Sequence, residues 1–546
     1  DSLDNCSDIA NSDQLDTDLD GDGDVCDNDD DGDGVLDADD AFPQDALEWS
    51  DTDGDGIGDN QDLVNSGSYL GRAYHMTAST SPNLSEVHII NTSGSALSFT
   101  GTLFHKSGSQ LGDSNVALHE GVIAPQGRLI LSTTDIEQLF NELPWTGPAI
   151  LDVRSSDQFA LMTKLSRNGR VTNTNCVRTG NVHNVEGNDS LDVTYIRFIN
   201  DGTAALSNIR GTLYDTNGDP IGEPNVQLFD ELGPREAIFL SRDPISAIVG
   251  DTWTGAASLV LSDTYENLKL MNLNFVNDET FFNFSCYESA SDDNGGSSQL
   301  GRAYHMTAST SPNLSEVHII NTSDSAQSFT GTLFHKSGSQ LGDSDVALHE
   351  GVIEAQGRLI LSTTDLELRF NELSWTGPAM LDVRSSDQFE LMTKLSRSGR
   401  VTNTNCVRTG NVHNVEGNDS TDVTYIRFIN DGSAALSNIR GTLYDTNGDP
   451  IGEPNAQLFD ELGPREAIFL SRDPISAIVG DTWTGAASLV LSDTYENLKL
   501  MNLNFVNDET FFNFSCFENS KQSAEDETTQ TSAALAFFET DVAPIL

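Results

Sequence analysis

Residues 1–62 contain 23 Asp, one Glu and no Lys or Arg, and the spacing of the aspartates is that of a carboxylate cage for a hard cation. Calcium takes six to eight oxygens at about 2.3–2.6 Å. A twelve-residue loop supplies them from positions 1, 3, 5, 9 and 12 and from the carbonyl at 7, with Gly at 6 for the sharp turn. Three segments fit this register. The first, 16–27, places Asp16, Asp18, Asp20, Asp24 and Asp27 on side-chain positions and Asp22 on the carbonyl position. The second, 29–40, places Asp29, Asp31, Asp33, Asp37 and Asp40, with Val35 giving the carbonyl. The third, 51–62, places Asp51, Asp53, Asp55, Asp59 and Asp62, with Ile57 at position 7. A disordered acidic tail would share the composition, but not three loops with Gly21, Gly34 and Gly56 in register. Several calcium ions are therefore the expected ligands, and the segment has almost no apolar residues with which to build a core.

The whole chain carries a formal charge of −57, of which residues 1–62 supply −24 (23 Asp and one Glu) and the remaining 484 residues −33. Such a balance argues against nucleic acid, whose phosphates need a basic surface, and against anionic lipid. No stretch approaches the 18 apolar residues that a membrane-spanning helix needs. Asp1 and Asp4 sit where positions 9 and 12 of a preceding loop would fall, so a fragment or processed form is expected, with any export signal outside it.

The stretch DNCSDIANSDQLDTDLDGDGDVCDNDDDGDGVLDADD resembles thrombospondin type 3 repeats. The resemblance covers residues 1–62. It implies acidic loops wrapped around a line of calcium ions with little regular secondary structure, and an adhesive, secreted or cell-surface setting. It also implies a Cys pair stapling successive turns, here Cys6 with Cys26. Ser7 departs from the family's usual Pro, and AFPQDALEWS at 41–50 spaces the last loop from the others, as in many bacterial versions.

The rest of the chain repeats itself. Residues 70–288 match 300–518 at an offset of 230, with 16 differences over 219 positions. Each copy also repeats internally: SEVHIIN at 85–91 aligns with TYIRFIN at 194–200, GRLILS at 127–132 with EAIFLS at 236–241, and WTGPA at 145–149 with WTGAA at 253–257. Short β-branched and apolar runs separated by turn residues predict about seven strands per module. The expected fold is therefore mainly β: the irregular acidic segment, then four tandem immunoglobulin-like β-sandwiches in two near-identical two-module copies. The expected domains are 1–62, 70–180, 181–289, 300–410 and 411–519, with a flexible linker at 290–299 and a polar linker opening 520–546. Within TTDIEQLFNEL, Ile136, Leu139, Phe140 and Leu143 fall at helical spacing behind a Thr134/Asp135 cap, which predicts one short helix.

Cys176, Cys286, Cys406 and Cys516 recur at intervals of 110, 120 and 110 and form no CxxC pair, so disulfides are expected rather than zinc. The expected pairing is Cys176–Cys286 and Cys406–Cys516, because a bond between copies would have to cross the 290–299 linker. The DxNxD of Asp215, Asn217 and Asp219 reads as a hairpin turn, since the sister module has His105, Ser107 and Ser109 there. GDS at 112–114 reads as a loop, and the histidines as structural. No GxSxG, HExxH, P-loop or GxGxxG motif is present, so no enzyme is expected within these residues. The run ALAFFETDVAPIL at 534–546 resembles the opening helix of c-type cytochrome domains of large bacterial surface proteins, although no CxxCH exists here.

The favoured function is a calcium-binding structural or adhesive stalk at the cell surface, in the extracellular space or in the periplasm, with a surface protein or a glycan as the partner class. The alternative is an accessory region of a larger surface enzyme or c-type haem protein whose catalytic part follows Leu546.

Overall fold

The computed structural model describes residues 5, 6, 9, 14–18, 21, 23–32, 35–37, 40–44, 68–141, 145–167, 170–276, 280–292, 298–371, 375–397, 400–506 and 510–522. The chain is mainly β, built of several antiparallel sheets stacked as sandwiches. The first module runs β1 (Tyr69–Met76), β2 (Leu84–Asn91), β3 (Thr100–Phe104), β4 (Gln110–Ala117), β5 (Arg128–Ser132), α1 (Thr133–Leu139), β6 (Ala149–Ser155), β7 (Phe159–Arg167) and β8 (Arg170–Asn173). One sheet orders β1-β6-β3-β4, and the other orders β7-β2-β5 with β8 on β7. The second module repeats this plan with β9 (Val182–Glu186), β10 (Val193–Asn200), β11 (Leu206–Tyr214), β12 (Val226–Leu232), β13 (Ala237–Ser241), α2 (Arg242–Val249), β14 (Ala256–Leu261), β15 (Leu268–Val276) and β16 (Thr280–Asn283). The third and fourth modules carry the same elements 230 residues later. GDS at 112–114, expected in a loop, lies within strand β4.

The helix forms where its spacing predicts it, but its cap is one turn element earlier. Ser132 is the N-cap, and it and Asp135 complete a capping box, which satisfies two of the otherwise orphaned N–H donors of the first turn. Asp135 is thus the third helical residue rather than the cap. The second module has a helix at the same place, ended by Gly250 in the left-handed conformation at φ 79°.

In β2 the residues Val87 and Ile89 enter the sandwich core beside Phe159, Leu161 and Trp145. A half-solvated strand would place polar residues between them. Here His88 and Ile90, on the opposite face, are buried as well. That second face is buried because the modules pack on one another. The turn after β3 docks on the next module: Lys106 O accepts from Ala237 N, and Gly108, at φ +80°, lies so close that a Cβ would stand 2.3 Å from Pro234 O. The same contact recurs from the second module to the third (Thr216 O from Arg358 N), from the third to the fourth (Lys336 O from Ala467 N), and from the fourth back to the first (Thr446 O from Arg128 N). Four equivalent head-to-tail contacts close a ring. The Asp215–Asp219 turn is the hairpin tip expected from sequence, with Asp215 Oδ1 accepting from Asn217 N and Asp219 N.

Ring closure overturns two expectations. The segment expected to be a flexible linker, 290–299, is in part strand: Ser291–Asp292 pair with Gln299–Met306 of the third module, and just before it Glu288–Ser289, the end of the second module as expected, pair with Phe389–Arg397. At the far end, Glu518–Asn519 pair with β7 and Lys521–Gln522 with β1 of the first module. Each copy therefore gives its last strands to the first module of the other copy, and the cysteines just before them go along. The bonds are Cys176–Cys516 and Cys286–Cys406, with Cα–Cα distances of 5.7 and 5.6 Å, not Cys176–Cys286 and Cys406–Cys516. The linker argument failed because a bond between copies need not stretch the linker when the donated strand itself carries the thiol across. Ile90, Met162, Phe284, Tyr287, Met392 and Phe517, contributed by all four modules, form an apolar cluster where the donated segments cross.

Candidate calcium-binding site

The acidic segment is held by turns rather than by a core. Cys6 and Cys26 are bonded, with Cα atoms 5.7 Å apart, which is the staple that the repeat resemblance implies. Around it Gly23 N donates to Asn5 O, Asp24 N to Leu15 O and Asp27 N to Gly23 O. Gly21 takes φ +108°, a conformation that costs other residues strain, and it stands at position 6 of the first loop, where the sharp turn is required.

The aspartates organise the loops before any ion is considered. Asp24 accepts from Thr17 N and Thr17 Oγ1, both at 2.9 Å. Asp27 Oδ1 accepts from Asn28 N at 2.6 Å and Asp29 N at 3.2 Å, and Asp40 Oδ1 from Phe42 N at 2.7 Å. Asp37 Oδ1 accepts from Asp30 N at 2.9 Å, and Asp37 N donates to Asn28 O. The first and second loops touch: a Cβ on Gly32 would stand 2.7 Å from Asp18 Oδ2.

These contacts leave carboxylate oxygen over. Asp16 Oδ1, Asp30 Oδ1 and Asp40 Oδ2 are buried without a hydrogen-bond partner among the described residues. Asp30 is pushed up to about 6, first by burial and then by the charges of Asp37, Asp24 and Asp27. Carboxylates crowded in this way have no Lys or Arg within residues 1–62 to balance them. Unmatched hard oxygen donors of this kind suit calcium rather than a metal that prefers sulfur or imidazole.

Of the ligand positions expected from sequence, Asp16, Asp18, Asp24, Asp27, Asp29, Asp31, Val35, Asp37 and Asp40 belong to the described residues. The two loops are brought together by Asp18 against Gly32 and by Asp24, Asp27 and Asp37 around Asp30. Asp20, Asp22 and Asp33 lie outside the described residues, as do Asp51, Asp53, Asp55, Ile57, Asp59, Asp62 and the run 534–546. Asp30 is the residue that register alone misses: it stands at position 2 of its loop, which carries no ligand role.

No family model and no curated protein matches the chain. Among solved structures, one described as "Biofilm associated protein - BSP domain" shares 7% identity over 84% of this chain and 93% of that chain, with a TM-score of 0.13, a score at which the likeness carries no argument. No helix among the described residues is long and apolar enough to cross a membrane, which says nothing of a β-barrel.

Proposed function

We propose that this chain is a calcium-binding, non-enzymatic element of an extracellular or cell-surface protein, in which calcium stiffens the acidic loops and the ring of sandwiches serves as the adhesive head. The observation that carries the reading is the set of three in-register aspartate loops, two of which hold buried carboxylate oxygens without a hydrogen-bond partner among the described residues. The four modules close on themselves, so they suit a compact head better than an extended spacer, and the length of the assembly comes from the acidic segment. Three disulfides suit an oxidising compartment.

Calorimetric titration of the full chain with calcium tests the proposal. Binding to the folded form stabilises by RT ln(1 + [L]/Kd), roughly 2.7 kcal/mol at a hundred times Kd. Heat of binding and a raised melting transition are expected. Asp55→Ala should lose a site that Asp45→Ala keeps, because Asp45 lies outside every loop. Absence of binding heat at millimolar calcium, or equal loss in the two variants, would overturn it.

A further inference from the structure

Two clefts of the same composition open between the sandwiches of each copy, 230 residues apart, with volumes of 570 and 610 Å³. These lie within the roughly 300–1,000 Å³ range of small-ligand sites. One wall of the first comes from the first module, with His75, Thr77 and Trp145, and the other from the second, with Tyr195, Phe239 and Phe275. None of the 16 differences between the copies falls on a lining residue, so both clefts offer the same groups.

Charge sets these clefts apart from the rest of the molecule. No Asp or Glu is among the described residues lining either one, although the chain has 85 acidic residues against 28 Lys and Arg. Arg167 lies over the Phe275 ring, 4.9 Å from its centroid, and makes no ion pair among the described residues; Arg397 over Phe505 repeats this. Behind the aromatic wall Arg197 is fully buried, 5.5 Å from the Phe239 centroid, and among the described residues donates only to the carbonyls of Tyr74 and Pro148. A buried guanidinium with no counter-ion is costly, and its field is weakly screened inside the protein. The wall also holds two buried polar atoms without a partner among the described residues, His75 Nδ1 and Asn83 Oδ1, and His305 and Asn313 repeat them. Burial holds the His75 imidazole neutral, well below its usual range, with Arg197 pushing the same way.

The geometry points to two equivalent binding sites for an acidic saccharide, a short sugar chain with uronic carboxylates. The aromatic side chains of Tyr195, Phe239 and Phe275, which line the cleft, suit the C–H faces of sugar rings. The unpaired Arg167 is the donor for the carboxylate, with charge-assisted bonds of the stronger kind, and Asn83 and neutral His75 suit hydroxyl groups. The long-range charge of −57 opposes an anion, but at about 0.15 M salt the Debye length is roughly 8 Å. Distant carboxylates are then screened, while the cations at the cleft wall are not. This inference stands apart from the calcium reading, since no described residue of 1–62 lines either cleft.

The test uses the full chain at fixed calcium, with trigalacturonate as probe and cellotriose as its neutral counterpart, followed by calorimetry and by the fluorescence of Trp145 and Trp375. Trigalacturonate should bind at two sites per chain, with cellotriose at least about tenfold weaker. Arg167→Gln should weaken one of the two sites about tenfold or more and leave the other unchanged. Arg167→Gln with Arg397→Gln should lose about tenfold or more in affinity, whereas the Arg→Lys pair, which keeps the charge, should lose less. No binding of trigalacturonate by the unaltered chain, equal binding of cellotriose, or undiminished binding by the double Gln variant would each overturn the assignment. All three readings are independent of whether the acidic segment takes up calcium.

Discussion

Where the first module meets the second, Tyr195 and Leu273, paired across β10 and β15, face Thr77 over an open cleft. Where the fourth meets the first, the corresponding positions are Glu86 and Lys164, paired across β2 and β7, and they face Glu416. Lys164 Nζ lies 3.7 Å from Glu416 Oε1 with the side chains 13% and 17% exposed, and the space left there is 150 Å³ against 570 Å³. The second-to-third junction repeats the ion pair as Lys394 with Glu186. The docking of the hairpin tip is the same in all four junctions, so backbone contacts alone could not tell a within-copy contact from a between-copy one. The filling can. A Lys164-type amine brought against a Thr77-type position would be left buried without its carboxylate, and a wrong pairing of that kind is penalised more than a right one is favoured. The guanidiniums are sorted in the same way: Arg197 fills the within-copy junction, while Arg128, bonded to Ser488 Oγ at 2.8 Å, fills the between-copy one.

Only the between-copy junctions carry disulfides, and the two differ in what they close. Cys286–Cys406 spans 120 residues and Cys176–Cys516 spans 340. In terms of loop-closure entropy the longer loop gains more, so Cys176→Ser with Cys516→Ser should cost about 6 kcal/mol, roughly 1 kcal/mol more than Cys286→Ser with Cys406→Ser. Guanidinium unfolding at fixed calcium measures both. Equal losses would show that the fourth-to-first junction holds as well without its covalent clasp as the junction formed by continuous chain, and the asymmetry between them would be only one of sequence separation.

A single substitution, made at the same place in each junction type, sharpens the contrast. Lys164→Met removes an amine that burial already holds below its usual range, and it leaves Glu416 partly buried without its partner; the expected cost is about 3 kcal/mol. Leu273→Met at the equivalent within-copy position conserves volume and should cost less than about 1.5 kcal/mol. Thermal or chemical unfolding of the two variants decides. Similar losses would mean that the ion pair contributes nothing beyond the packing of its side chains.

The modules and their fold class were legible because apolar runs and turn residues repeat at 110 and 230 residues, and the helix because Ile136 and Phe140 lie four apart behind a polar cap. Ring closure was not. The hairpin tips dock through main-chain groups such as Lys106 O and Thr216 O, which leave no side-chain signature. The donated strands Ser291–Asp292 and Lys521–Gln522 are two residues each and polar, so composition placed them in linkers, and the disulfide pairing failed with them. One signal pointed the other way: VHII at 87–90 fills both faces of a strand, where an isolated sandwich needs only one apolar face. In the acidic segment the spacing of the aspartates was legible, whereas the crowding around Asp30 was not, since its carboxylate neighbours come from two different loops.

The smallest effect expected concerns a histidine pair that the copies have made unlike. His183 Nε2 lies 2.6 Å from Glu390 Oε2, with Nδ1 on Ser258 Oγ at 2.9 Å. His413 bonds Ser488 Oγ in the same way, but Ala160 stands where the other junction has Glu390, and its Nε2 has no partner among the described residues. Burial lowers both, and for His183 the carboxylate opposes the shift; His413, with Arg128, Arg408 and His88 adding to burial, falls well below its usual range. A histidine lowered in the folded state stays neutral there while the unfolded chain takes up a proton below the ordinary value of 6.5. Its contribution to stability is therefore complete above that value and is lost as the pH falls, at up to about 1.4 kcal/mol per pH unit for each proton. Chemical unfolding between about pH 5 and 6.5 should show that His413→Gln flattens the acid side of the stability profile by nearly one proton, and His183→Gln by less. Ala160→Glu should then make His413 behave like His183. Identical profiles for the two Gln variants would mean that Glu390 does not govern the protonation of His183, and the two between-copy junctions would be electrostatically equivalent after all.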